Sequence, residues 1–238
     1  MNNKYESFFT EDEKQLIEKS IKEAESRTSG EIVTMVVERS DGYRDIDVIG
    51  GITIAAMISV FPAEIVYANS EFLLRKIIPS MSWFSQIPDG TRFVTGLTAF
   101  IALTIILHFP VKLLFINFPL LKRLFLSIKR MDAEVRERAL SGFHEHGLGN
   151  TRDATGVLFL ISIFERRVHV LADHGIYTKI RQETLDKYAA SISKGIASGK
   201  GAESLCGAIK DAGDELERHF PGKSDDKNEL SNRIVTER

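Results

Sequence analysis

The chain has 238 residues, and 31 Lys and Arg against 33 Asp and Glu give a formal net charge of −2. That balance removes any bulk electrostatic case for nucleic acid, and the single cysteine, Cys206, rules out an intrachain disulfide and a cysteine-based metal cluster. Such cysteine usage suits a reducing compartment, and the charged first 45 residues hold no apolar h-region, so no cleavable signal peptide is expected there.

Thr10-Glu11-Asp12-Glu13 reads as a capping box, in which hydroxyl and carboxylate each satisfy a backbone N–H at a helix start. Leu16, Ile17, Ile21 and Ala24 follow at helical spacing, and Gly30 fits the helix stop. Glu31 to Glu38 is rich in β-branched residues and predicts a mostly buried strand. The membrane-like block comes next. Val48 to Ala63 and Phe93 to Val111 hold no charged residue, and Asp47 to Tyr67 is long enough to nearly cross a hydrocarbon core of about 30 Å. Between them, Trp83 and Phe84 beside Arg75 and Lys76 suit a membrane–water interface, and Leu113 to Leu121 is expected to lie along the bilayer surface.

Charge then returns. A helix carries Val135, Ala139 and Phe143 on one face and ends near Gly147. Gly156 to Phe164 and Val168 to Asp173 predict two strands joined tightly through Glu165-Arg166-Arg167. One amphipathic helix then carries Ile180, Leu185, Tyr188, Ala189, Ile192 and Ile196. A second carries Ala202, Leu205, Cys206, Ile209, Ala212 and Leu216 and stops before Pro221, and a polar tail follows Gly222.

Neither flank has a core of its own. A buried strand at 32–38 needs partners for its backbone polar groups, and the strands at 156–164 and 168–173 supply them. Two spans return the chain to one face and permit that pairing. Arg39, Arg44, Lys112, Lys122, Arg123, Lys129 and Arg130 flank the block, against Arg75, Lys76 and Arg92 inside it, so the soluble part is expected to face the cytoplasm. A re-entrant hairpin, favoured by Pro62 and Glu64, and a buried helical insert stay open as alternatives. The expected division is 1–45 and 122–221 as two parts of one domain, 46–121 as the hairpin with its interfacial loop, and 222–238 as the tail.

Chemistry is sparsely marked. His144-Glu145-His146 is not a metal motif, since positions i and i+2 of a helix point about 200° apart, and it reads as a solvated helix end. Asp173, flanked by His169 and His174, stands at a strand end, where open α/β sheets bind ligands, although a plain turn explains Asp-His-Gly as well. Asn150 to Gly156 either holds an anion or satisfies its own loop. Asp225, Asp226 and Glu229 offer hard oxygen donors of the kind Ca²⁺ or Mg²⁺ takes, at a spacing that is not an EF-hand loop. No Walker A, G-x-S-x-G or G-x-G-x-x-G occurs, and Cys206 falls on an apolar stripe as core packing.

Arg27-Thr28-Ser29-Gly30-Glu31, Thr151-Arg152, Thr155-Gly156-Val157-Leu158, Glu165-Arg166-Arg167-Val168 and Ala172-Asp173-His174-Gly175-Ile176 occur in this order. Asn228-Glu229-Leu230-Ser231-Asn232 follows, with Ser231 where Pro is usual. Together they resemble the TPM-domain family, in its bacterial branch with a membrane hairpin inside the domain. The resemblance implies an α/β sandwich with a small central mixed sheet flanked by helices, interrupted here by the hairpin. It implies a place in the bacterial inner membrane. Plant relatives are associated with photosystem repair and acid phosphatase activity, others bind calcium, and an animal relative modulates a membrane receptor. Most of them place the domain outside the cytoplasm. The leading expectation is a binding or assembly module that touches the lipid bilayer and another membrane protein, and no nucleic acid. The alternatives are a divalent-metal-dependent phosphatase using Asp173 and a passive calcium-binding domain. Asp173, Asp225, Asp226 and Glu229 are the candidate metal ligands.

Overall fold

A computed structural model of the chain describes residues 7–78, 88–222 and 229–237. The chain divides into two compact units, residues 1–42 with 128–238, and residues 43–127. Trp83, Phe84, Asp225 and Asp226 lie outside the described residues.

The first unit is a mixed α/β layered domain. Helix α1 (Glu11–Glu25) opens with the expected capping box: Glu13 N donates to Thr10 Oγ1 at 3.2 Å and Thr10 N to Glu13 Oε2 at 2.7 Å. Ile17, Ile21 and Ala24 are its buried stripe. The helix closes at Ser26, not at Gly30. Gly30 has another job, because a Cβ there would meet Leu216 Cδ1 at 2.9 Å. Strands β1 (Glu31–Val37), β2 (Gly156–Ser162), β3 (Arg167–Ala172) and β4 (Val235–Glu237) form one sheet in the order β3-β2-β1-β4. β1 runs parallel to β2 and to β4, and β2 pairs antiparallel with β3. Both inner strands are buried along their whole length, which explains their near-continuous apolar sequences.

Helices cover both faces. Helices α8 (Gln182–Ala197) and α9 (Gly201–His219) join α1 over one face, where Ile32, Val36, Val157, Phe159, Ile161 and Val170 meet Leu185, Leu205 and Ile209. Helix α6 (Ile128–Glu145) covers the other, with Val135, Ala139 and Phe143 against Val33, Met35, Leu158 and Leu160. The chain leaves α6 through Gly147, whose φ of 73° lies in the left-handed region that glycine adopts at little cost. β4 corrects the sequence reading, since the C-terminal segment is not only a polar tail: Met35, Val36 and Val37 pair with Val235, Thr236 and Glu237. A three-residue edge strand whose partner lies about 200 residues away leaves no periodic signature.

The second unit is helical. Helices α2 (Arg44–Ala68) and α4 (Asp89–Asn117) pair along their length, with α3 (Ser70–Ile77) and α5 (Pro119–Leu124) beside them. At 1.5 Å per residue, the 25 and 29 residues of α2 and α4 span about 37 and 43 Å, enough to cross an apolar core of about 30 Å. Glycines let the backbones close up: a Cβ on Gly50 would strike the Phe115 ring at 2.5 Å, and one on Gly96 would strike Tyr67 Cβ at 2.9 Å. α4 also corrects an expectation. It runs unbroken through Pro110 and Lys112 to Asn117, so Leu113 to Asn117 belong to the long helix and not to a separate surface segment. One buried ion pair marks this unit, with Lys122 Nζ 2.9 Å from Asp47 Oδ1 and 3.1 Å from Oδ2. A pair so shielded is strongly destabilising to break from one side.

Candidate cation-binding corner

The register brings one end of the sheet together. Glu31 heads β1 beside Gly156, which heads β2, and Asp173 follows the last residue of β3 and donates its N–H to Gly156 O at 2.8 Å. The loop before β2 satisfies itself. Thr155 N donates to Thr151 Oγ1 at 3.1 Å, and Thr155 Oγ1 donates to Ser29 O at 2.8 Å. The Asn150–Gly156 segment is therefore a structural loop whose hydroxyls are occupied. Ala154 sits at φ 53°, and Gly175 has no room for a Cβ, which would lie 2.5 Å from Ala154 O. A non-glycine residue held in that region stores strain of order 1–3 kcal/mol, which clusters at functional sites.

Four acids gather around this end. Asp173 caps the short helix α7 (His174–Tyr177), its Oδ1 accepting from His174 N at 2.6 Å. Its Oδ2 is buried and has no hydrogen-bond partner among the described residues. Glu31 is buried, and its Oε1 accepts from Glu229 N at 2.9 Å. Glu229 Oε2 in turn accepts from Arg152 N at 3.2 Å. Glu25, at the end of α1, accepts from Ile32 N at 2.8 Å and from the Asn232 side chain. Burial, followed by the nearby Glu31 charge against the opposing bonds from Ile32 and Asn232, pushes its carboxyl up to about 8. Glu229 to Asn232 thus ties the C-terminal segment to the start of β1.

Of the expected donors, Asp173 and Glu229 come to this corner, but among the described residues they belong to no set of three donors within 4.8 Å of one another. His169 does not join them. It lies within β3 opposite Leu160, and burial followed by the Arg136 charge lowers its pKa. Sequence reading missed Glu25 as a site residue, although an acid closing the apolar stripe of α1 was a signal of sorts. Cys206 is half-buried among the core residues of α9, and desolvation raises its thiol, as suits packing and not reactivity.

A second cluster stands where α6 and β4 end. Glu145, His146 and Glu237 bring one donor atom each within 4.8 Å of the others, and His144 takes no part. Arg138 already bonds both Glu145, at 3.2 Å, and Glu237, and His146 Nε2 lies 3.4 Å from Glu237 Oε1. Hydrogen bonds from Ser141 and then Arg138 hold the Glu145 carboxyl below its ordinary value. With the guanidinium between the two carboxylates, the cluster acts as an ion-paired fastening of β4.

No family model matches this chain, and no curated protein matches it. Among solved structures it is similar to the NMR structure of BA42 protein from the psychrophilic bacterium Bizionia argentinensis, with a TM-score of 0.52 and 19% identity over 96% of this chain and 95% of that one. At that identity the likeness speaks for the α/β fold alone.

Proposed function

We propose that the chain is a TPM-like domain anchored in the bacterial inner membrane by the α2–α4 hairpin, facing the cytoplasm and serving as a binding or assembly module for a membrane complex. The observation that carries this reading is the surface of α4. Only 11% of its most apolar stretch is buried, and Ile105, Ile106, Phe109 and Leu113 all face outward. Such a surface finds its favourable solvent in lipid. The even number of spans agrees with it, because β1 precedes the hairpin, β2 follows it, and the two strands pair. A periplasm-dependent phosphatase reporter fused after Arg238 is expected to stay silent while a fluorescent protein at the same place lights the membrane. An active phosphatase fusion overturns the orientation, and a freely soluble fusion overturns the anchor.

A second reading follows from Asp173 Oδ2 and the Glu25–Glu31 pair. Hard carboxylate oxygens in a partly dry corner suit Ca²⁺ or Mg²⁺. The described residues fit a cation only in part, since they supply no closed shell. Calcium titrated against thermal unfolding is expected to raise the transition by mass action, and Asp173→Asn to abolish that rise. Phosphate release lost in the same variant, with the fold intact, would turn the binding site into the hydrolase alternative.

A further inference from the structure

At the far end of the sheet from Asp173, a cleft of about 440 Å³ opens between the β2–β3 turn and α8. Its walls are apolar, supplied by Phe8, Ile161, Ile163, Val168 and Ile196. That size and lining are those of a small-molecule site. Four polar side chains border it, Ser162, Ser193, Arg166 and Arg167. Ser162 is engaged, its hydroxyl bonded to the buried Glu165 carboxylate. Arg167 is engaged too, 2.6 Å from Asp132. Arg166 is different. Its guanidinium makes no ion pair or hydrogen bond with any described residue, and its backbone is held at φ 54°, where a side chain is disfavoured and glycine is the natural choice. A strained, unpaired cation at the mouth of an apolar cleft is a poor choice for a plain hairpin turn and a good one for an anion with an apolar body.

We propose that this cleft binds a linear apolar monocarboxylate, of the fatty-acid kind, with its tail among Phe8, Ile161, Ile163 and Ile196 and its carboxylate on Arg166. The Glu165 carboxylate is fully buried and already accepts from Ser40 N at 3.0 Å, so it does not compete for Arg166 at the mouth. The proposal is independent of the cation corner and of the anchor's orientation.

The test uses the full chain in zwitterionic lipid nanodiscs, with methyl-labelled Ile and Val followed by NMR during titration with sodium decanoate. Saturable shifts confined to Ile161, Ile163, Val168 and Ile196 are expected, weakened about tenfold or more in Arg166→Gln, the loss expected for a charge-assisted bond. Arg166→Gly is the decisive variant, since it relieves the backbone and keeps the fold. It should melt no lower than the parent and bind decanoate as poorly as Arg166→Gln. Decanol should bind weakly and indifferently to either change. The proposal is overturned if decanoate shifts follow decanol, if they survive in Arg166→Gly, or if only a peptide with a free C-terminal Leu produces them.

Discussion

The two compact units use the same residue types against opposite surroundings. In the α/β unit, Ile17, Ile21, Leu205, Ile209 and Leu216 are at most 1% exposed, each on the inner stripe of an otherwise charged helix. In the helical unit, Met57, Phe61, Phe109 and Leu120 are 69–73% exposed. A helix that is apolar on one stripe stabilises itself against a neighbour in water. A helix that is apolar all round is suited to an apolar surrounding on every side, whether protein interior or lipid. In α2 and α4 the apolar residues extend well beyond the buried faces that hold Ala55, Ala63, Val111 and Phe115. Gly50, Gly51 and Gly96 mark the places where an added Cβ would strike a neighbouring side chain.

The largest effect that bears on this contrast is truncation of an aromatic side chain on each side of it. Phe159→Ala empties a fully buried site in β2 and is expected to cost about 3–5 kcal/mol. Phe109→Ala removes a ring that touches little protein, and is expected to leave the α/β unit within about 0.5 kcal/mol of its parent. Denaturant unfolding in nanodiscs, followed by exchange of the β2 amides, measures both. Equal losses would show that the outward face of α4 is core after all.

Next in size is Glu25, the acid that the α/β unit holds against its chemistry. Its carboxyl is raised from 4.5 to about 8, chiefly by burial. Below the lower value both folded and unfolded states are protonated. Between the two, the unfolded chain has released the proton and the folded chain has kept it, so stability falls as pH rises through this window and levels off above it. Glu25→Gln keeps an acceptor for Ile32 N and removes the ionisation. It is expected to flatten the fall and to stabilise the protein by on the order of a few kcal/mol at pH 9, with no gain at pH 4. Thermal unfolding across that range tests it, and a variant whose stability still falls with the parent's slope would assign the window to another group.

Much of this architecture could be read before any coordinates, because period and punctuation are local. The stripes of α1, α6, α8 and α9 and the apolar runs of β1 and β2 needed only neighbours a few residues away. What escaped was set by distant partners. β4 is a strand because Met35 to Val37 are there to receive it. Glu25 is unusual because the fold buries it and brings Glu31 near, against the opposing bonds from Ile32 and Asn232. The extension of α4 through Pro110 escaped for a different reason. A proline and a lysine read as a local end, and on the membrane reading proposed above an apolar environment would penalise every unpaired backbone group and favour continuing the helix.

The helical unit should feel its seam more than its surface. Gly50→Leu forces a side chain into the buried Phe115 ring and is expected to cost about 1–3 kcal/mol of hairpin stability. Cysteines replacing Tyr67 and Gly96, in a Cys206→Ser background, would stand close enough to bridge. Their disulfide yield should fall when Gly50→Leu is added. Met57→Leu on the exposed side should leave the yield alone, and a drop there as large as that from Gly50→Leu would mean that the seam does not hold the pair.

The smallest effect concerns how each unit starts its helices. α1 carries a reciprocal cap, Thr10 to Glu13, at an exposed end where orphan N–H groups would otherwise turn to water. α2 and α4 begin at Tyr43 and Pro88 with no side-chain cap at all. Stability of an amphipathic helix in water is a sum of small increments, and the cap is one of them. A long apolar helix gains its stability from the surroundings and can omit the cap. Thr10→Ala should therefore cost the α/β unit about 1 kcal/mol, the usual loss for such a cap. Because the cap sits at one end, exchange should quicken in the first turn of α1 and leave Ile21 and Ala24 protected to the global limit. Thr10→Ser, which keeps the accepting oxygen, should restore most of the loss, and failure of that rescue would assign the effect to the lost methyl group and not to the bond.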